Sequence, residues 1–230
     1  MADRGILFVA TGDKYRKEAI HACQSYRKAM PDIAIAFATR GALSKPGYFD
    51  HVLQLPGDVN SYSDKITGIQ ASPFDRTVFV DTDTVCIEPI YDLFEVLGRW
   101  DILISHAPVR EFLRSLPGVP DCFPEYNTGV IGFSKRQCVR ELLRKWKCFH
   151  DKDRKQFGPQ ASDQPAFRLA SWKTQVRMLT LTPEYNLRTC MPYFVGGNAK
   201  VKIIHDRSRR REQAIWNLRR HPEHIHPRIW

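Results

Sequence analysis

The sequence predicts an α/β domain, a mostly parallel sheet flanked by helices on both faces. Three observations predict it. Apolar runs of strand length recur along the first half, among them Ile6-Leu7-Phe8-Val9-Ala10 and Val78-Phe79-Val80. Stretches with apolar residues at helical spacing separate them. No Gly/Ser-rich or Pro-rich linker divides the 230 residues, 43% of them hydrophobic, so a single domain is expected.

The elements follow in order. "GILFVAT" (5–11) is a buried strand that ends at the turn "TGD". Residues 14–30 place Tyr15, Ala19, Ala22, Cys23 and Tyr26 at helical spacing, a helix expected to pack on the sheet. Residues 32–39 and 51–56 are the next strands, and 63–72 is a short helix stopped by Pro73. Residues 76–85 and 100–106 are two more strands. A loop rich in Pro and Gly (107–125) leads to "YNTGVIGFS" (126–134), then to a helix with Cys138, Leu142, Leu143 and Trp146 on one face. Residues 162–172 read as a helix with Ser162 as N-cap, and 175–186 and 199–206 as the last strands. In parallel sheets ligands sit beyond the carboxyl ends of the strands. The "TGD" turn and the "DTD" pair both lie at such ends, so they are expected to be neighbours.

Composition narrows the class. The six cysteines (Cys23, Cys86, Cys122, Cys138, Cys148 and Cys190) form no CxxC pair, and they read as free thiols. The N-terminal apolar run is too short for a signal-peptide core, and no run approaches a membrane span, so a cytoplasmic protein is expected. The net charge of +10 is concentrated at the C-terminus, where Arg207, Arg209, Arg210, Arg211, Arg219, Arg220 and Arg228 lie. Such a tail (207–230) favours anionic partners, or is simply a solvated, partly helical segment.

Asp81 and Asp83 are the residues that ask for chemistry. They end the apolar run Val78-Phe79-Val80, and an unpaired carboxylate in such a place costs several kcal/mol or changes its pKa. In an extended segment residues i and i+2 face the same way, roughly 6–7 Å apart, so both side chains can present oxygens to one cation. Mg²⁺ and Mn²⁺ take oxygen ligands and fill the rest of their shell from substrate phosphates. The competing reading is a turn in which the aspartates bond their own backbone. "DTDTV" also fits the D-x-D-x-T/V of haloacid-dehalogenase-type phosphatases, but the later paired-acid motif which that resemblance implies does not follow Thr84.

The order "FVATGDKY", "SPFDRTVFVDTDTV", "YNTGVIGFS", "SDQPAF" and "KIIHD" resembles the retaining nucleotide-sugar glycosyltransferases of family 8 and their relatives. The likeness covers most of residues 5–206 and implies a single Rossmann-like GT-A domain with a mixed sheet. It implies Asp81, Asp83 and His205 as ligands of a divalent ion, and the mixed oxygen and imidazole shell suits Mn²⁺ somewhat better than Mg²⁺. It implies Thr11 and Tyr15 at the nucleoside, Lys65 near the phosphates, and Asn127 and Gly129 facing the sugars. Asp163 would hold a sugar hydroxyl, and Gln164 would sit near the anomeric carbon. The implied reaction moves a sugar from a nucleoside diphosphate donor, UDP-linked, to an acceptor hydroxyl with retention. The acceptor would be a saccharide, a lipid-linked group or a protein.

The chain departs from the pattern after His205. Family members continue into a Gly-containing segment and Lys-Pro-Trp, whereas this chain runs "DRSRRREQAIW". Arg207, Arg209 or Arg210 is expected to replace the missing phosphate-binding lysine. His221, His224 and His226 are too near the terminus to make a well-placed second metal site. From another class, the basic tail alone would suit a non-catalytic module docking on a membrane or, less readily, nucleic acid, but such a module has no use for the paired aspartates or "SDQP". Both readings coexist if the tail holds an enzyme at a membrane's inner face.

Overall fold

The computed structural model describes residues 3–43, 46–57, 63–107, 116–189, 200–207 and 212. The chain opens with β1 (Arg4–Val9), α1 (Asp13–Ala29), β2 (Ala34–Thr39) and β3 (His51–Gln54). It continues through α2 (Ser63–Gln70), β4 (Arg76–Val80), β5 (Thr84–Cys86), α3 (Tyr91–Val96) and β6 (Ile102–His106). The second half holds β7 (Tyr126–Ser134), α4 (Gln137–Phe157), α5 (Gln164–Trp172), β8 (Met178–Leu181) and β9 (Ile203–His205).

Seven strands form one sheet in the order β3-β2-β1-β4-β7-β6-β8. All lie parallel except β7, which runs antiparallel to β4 and β6 and makes the sheet mixed. Both faces are covered, as parallel strands require, so the central strands are continuously apolar. In β1, Ile6 and Phe8 pack with α1 and α3, while Leu7 packs on the opposite face with α2, α4 and α5. All three are fully buried, and each such side chain contributes about 1.5–3 kcal/mol.

Three expectations need correction. The strand expected over 76–85 breaks at Asp81, because Thr84 N–H donates to Asp81 O at 3.2 Å and closes a turn. Beyond it, β5 leaves the main sheet and pairs antiparallel with β9. The helix expected from an N-cap at Ser162 begins at Gln164 with Asp163 in the cap position, and Ser162 Oγ only receives the Gln164 N–H at 3.4 Å. The strand expected over 175–186 is shortened to β8 by Pro183, which opens a 3₁₀ turn through Tyr185. Helix α3 escapes the periodicity because it has only six residues. Cys23, Cys86, Cys122, Cys138 and Cys148 are free thiols, and Cys190 lies outside the described residues. So does the tail beyond Arg207 apart from Glu212, with its arginines and His221, His224 and His226. Among the described residues no helix is long and apolar enough to cross a membrane.

Candidate active site

The sheet topology brings the predicted ends together. Parallel pairing of β1 with β4 sets the turn after Val9 beside Asp81, and both open into a cleft of about 560 Å³. Gly12, at φ 86°, takes a left-handed conformation that needs no side chain and turns the chain from β1 into α1.

Asp81 and Asp83 converge through a turn, not through the extended geometry expected from their spacing. The turn is pinned from below: Thr84 Oγ1 donates to Asp81 O at 2.7 Å and accepts from the buried Tyr26 hydroxyl at 3.2 Å. Pairing in the small sheet then sets Thr84 opposite His205, and the Asp206 N–H donates to Asp83 O at 3.1 Å. This register brings His205 Nε2 to 3.4 Å from Asp83 Oδ1 and 3.7 Å from Asp81 Oδ2. One donor atom from each of the three residues lies within 4.8 Å of the others. Two carboxylates and an imidazole at that spacing fit a hard or borderline divalent cation.

Lys65 lies between the acidic turn and α5. Its Nζ is 3.2 Å from Asp81 Oδ1 and 3.4 Å from Asp163 Oδ2, and it donates to Thr128 Oγ1 at 3.1 Å. Thr128 in turn donates its hydroxyl proton to Asp163. Burial opposes the charge on Lys65, but Asp163 and Asp81 outweigh it and hold the ammonium pKa above its ordinary value. Burial pushes the Asp81 carboxyl up against the pull of Lys65 and His205. Burial would also raise Asp83, yet the hydrogen bond and charge of His205, with Arg207, hold it well below the carboxylate range.

Arg207 closes the other side. Its Nη2 stands 3.5 Å from Asp83 Oδ2, its Nε donates to Glu18, and its guanidinium lies 5.3 Å from the Tyr15 ring centroid. Tyr15 is therefore at the cleft wall, 37% exposed, and not in the core where its helical spacing placed it. Thr11 lines the same wall and donates to Asp64. Arg209 and Arg210 lie outside the described residues.

The resemblance sets Asn127 and Gly129 facing the sugars. Both are buried in β7, and neither lines the cleft. Asn127 donates to Gln164 Oε1 at 3.1 Å and accepts from Asn186. Gly129 makes room for the His205 ring: a Cβ there would stand 2.0 Å from His205 Cε1. Asp163 lines the cleft, while Gln164 is buried behind it.

No family model and no curated protein matches the chain. Solved structures do. The chain is similar to galactosyltransferase LgtC in complex with donor and acceptor sugar analogs, with TM-score 0.60 and 16% identity over 95% of this chain and 94% of that one. It is similar to the glycosyltransferase GlyE of Streptococcus pneumoniae TIGR4, with TM-score 0.64 and 16% identity over 90% of this chain and 55% of that one. It is also similar to mouse xyloside xylosyltransferase 1, with TM-score 0.56 and 14% identity over 90% and 98%. The fold is that of the GT-A glycosyltransferases.

Within this GT-A fold, sequence reasoning missed Asp64, Glu18 and Asn186. Asp64 is buried at the cleft, where it accepts from Thr11 and pairs with Arg40 at 2.6 Å. Glu18 holds Arg207 and Thr82 in place. Asn186 is fully buried against His205. Each stands in an unremarkable helix or loop, and only the long-range pairing gives it a partner at the site.

Proposed function

We propose that the protein is a metal-dependent glycosyltransferase that moves a sugar from a nucleoside diphosphate donor, UDP-linked, to an acceptor hydroxyl with retention. The observation that carries the reading is the convergence of Asp81, Asp83 and His205 at the cleft of a GT-A fold. Among the described residues the cleft is lined by the carboxylates of Asp64, Asp81, Asp83 and Asp163 and by the cations of Lys65, Arg154 and Arg207, four against three. A site with that balance admits a further cation and, with it, a diphosphate.

A divalent ion held there, Mn²⁺ or Mg²⁺, would supply Lewis-acid charge neutralisation at the leaving diphosphate. The protein's own groups do the remaining work. Arg207, Lys65 and Arg154 are the cationic side chains lining the cleft among the described residues, able to bind phosphate oxygens and hold the leaving group's charge. Tyr15 offers a ring face to the base, and Thr11 and Asp64 offer hydrogen-bonding groups to base or ribose. Asp163 is the carboxylate from the "SDQP" segment that lines the cleft, where it can hold a sugar hydroxyl or face the anomeric carbon. Its two hydrogen-bonding neighbours, Thr128 and Lys65, orient it. Gln164 has its oxygen engaged by Asn127, so the group it has left to offer a substrate is its Nε2 donor.

The acceptor is proposed to be a saccharide, lipid-linked or protein hydroxyl, and the basic tail to bring the enzyme to an anionic surface. Release of nucleoside diphosphate from a panel of nucleotide sugars, with Mn²⁺ and with chelator, tests the activity. Turnover of at least one donor that chelation stops supports it. No turnover of any donor, or turnover indifferent to chelation, refutes it.

A further inference from the structure

A chain of buried amides runs from the start of α5 to the candidate metal ligand, and its direction follows from one backbone group. Gly129 N–H can only donate, and it points at the Asn127 side chain at 3.0 Å, so the atom facing it is the oxygen, Oδ1. That same oxygen stands 2.8 Å from the Asn186 side chain, which must therefore present its Nδ2. Asn186 is left with its oxygen toward His205, 2.8 Å from Nδ1. An oxygen acceptor there requires a proton on Nδ1. On the opposite side of the ring, Nε2 faces the oxygens of Asp81 and Asp83.

We propose that Asn186 is a positioning residue which keeps Nδ1 of His205 protonated and so reserves Nε2 as the atom offered to a divalent cation between Asp81 and Asp83. The inference rests on the metal reading given above for its purpose, but the protonation of Nδ1 follows from the hydrogen-bond chain alone. Three features make the chain rigid. Asn186 is fully buried, Asn127 is 4% exposed and His205 is 7% exposed, so water cannot substitute for any link. The backbone of His205 is tied beside Asn186 through its N–H to Leu187 O at 2.8 Å. Gly129, the source of the chain's direction, is also the residue whose missing side chain leaves space for the His205 ring. A ligand histidine whose second nitrogen is held this way has its tautomer and ring orientation set before the cation arrives.

Two measurements on the full chain test the proposal. The first is nitrogen-15 NMR of the imidazole, with the His205 signals assigned by their loss in His205→Gln. A proton on Nδ1, both in metal-free protein and with Mg²⁺ present, is expected; a neutral ring protonated on Nε2 alone overturns the proposal. The second is Mn²⁺ binding followed by electron paramagnetic resonance. Asn186→Leu should weaken binding about 10–100-fold, the usual effect of removing such a partner. A folded Asn186→Leu protein that binds Mn²⁺ like the wild type overturns the proposal. If wild-type protein binds no Mn²⁺, the metal reading fails, while the NMR result still decides the role of Asn186. The NMR result also decides if Asn186→Leu does not fold.

Discussion

Lys65 Nζ stands 3.4 Å from Asp163 Oδ2, and through this contact the acidic turn after β4 is tied to the N-terminus of α5. The two segments are distant in sequence, and one ammonium serves both. Removing a partner from a pair this sheltered leaves carboxylates without compensation, which costs several kcal/mol. Lys65→Met is therefore expected to destabilise metal-free protein by roughly 3 kcal/mol. Mn²⁺ should restore part of the loss, because it takes over the neutralisation of Asp81. Chemical unfolding with and without Mn²⁺ checks both statements; a deficit that Mn²⁺ leaves unchanged would separate Lys65 from the cation site.

Gly129→Ala should disable the site without touching any ligand. The added Cβ would stand 2.0 Å from His205 Cε1 and 2.5 Å from Nδ1, and the His205 ring is buried. Overpacking of this kind costs typically 1–3 kcal/mol, and the displaced ring should bind Mn²⁺ far more weakly. Thermal unfolding together with Mn²⁺ titration measures both effects. A variant with unchanged Mn²⁺ affinity would mean that His205 does not contribute to binding.

Asp163→Asn should separate chemistry from metal binding. Asp163 meets Lys65 and Thr128 but is not among the converging metal donors. Turnover is expected to fall about 100-fold, as for a misplaced reacting group, with Mn²⁺ affinity within a few-fold of wild type. Steady-state kinetics and a binding isotherm on the same preparation check it. Equal losses in both would place Asp163 in the metal shell.

The buried thiols give a pH prediction whose sign can be worked out. Burial pushes Cys23 up to about 11 and Cys86 up to about 12, against roughly 8.5 for a free thiol. Between those values the unfolded chain has lost thiol protons that the folded chain retains, so stability falls as pH rises. The loss begins near pH 8.5 and is complete once pH passes the folded values. A Cys23→Ala, Cys86→Ala protein should lose less stability than wild type across this window, measured by urea unfolding at a series of pH values. In the native state a thiol reagent should modify exposed Cys122 and Cys148 and spare Cys23 and Cys86. Modification of Cys86 at the same rate as Cys148 would contradict its burial.

Strand and helix order was legible because it is written in local periodicity. Ile6 to Phe8 and Val78 to Val80 are apolar without interruption because helices cover both of their faces. Asp81 and Asp83 stood out as paired carboxylates ending an apolar run, whereas His205 and Lys65 were singled out through the resemblance. What failed to show was anything that depends on long-range register. Asp81 and Asp83 meet through a turn pinned by Tyr26, on a helix far earlier in the chain. Nothing local to Gly129 and Asn127 announces that pairing of β5 with β9 sets the His205 ring against one and Asn186 against the other. Tyr15 had the spacing of a core residue, yet it lies in the first turn of α1, where the sheet has ended and the cleft begins.

The most direct test locates the ion. Crystals soaked with Mn²⁺ and a nucleoside diphosphate should give an anomalous peak bounded by Asp81, Asp83 and His205 Nε2, with diphosphate oxygens completing the shell. A manganese peak at some other place, or a diphosphate bound in the cleft with no ion between it and Asp83, would contradict the account.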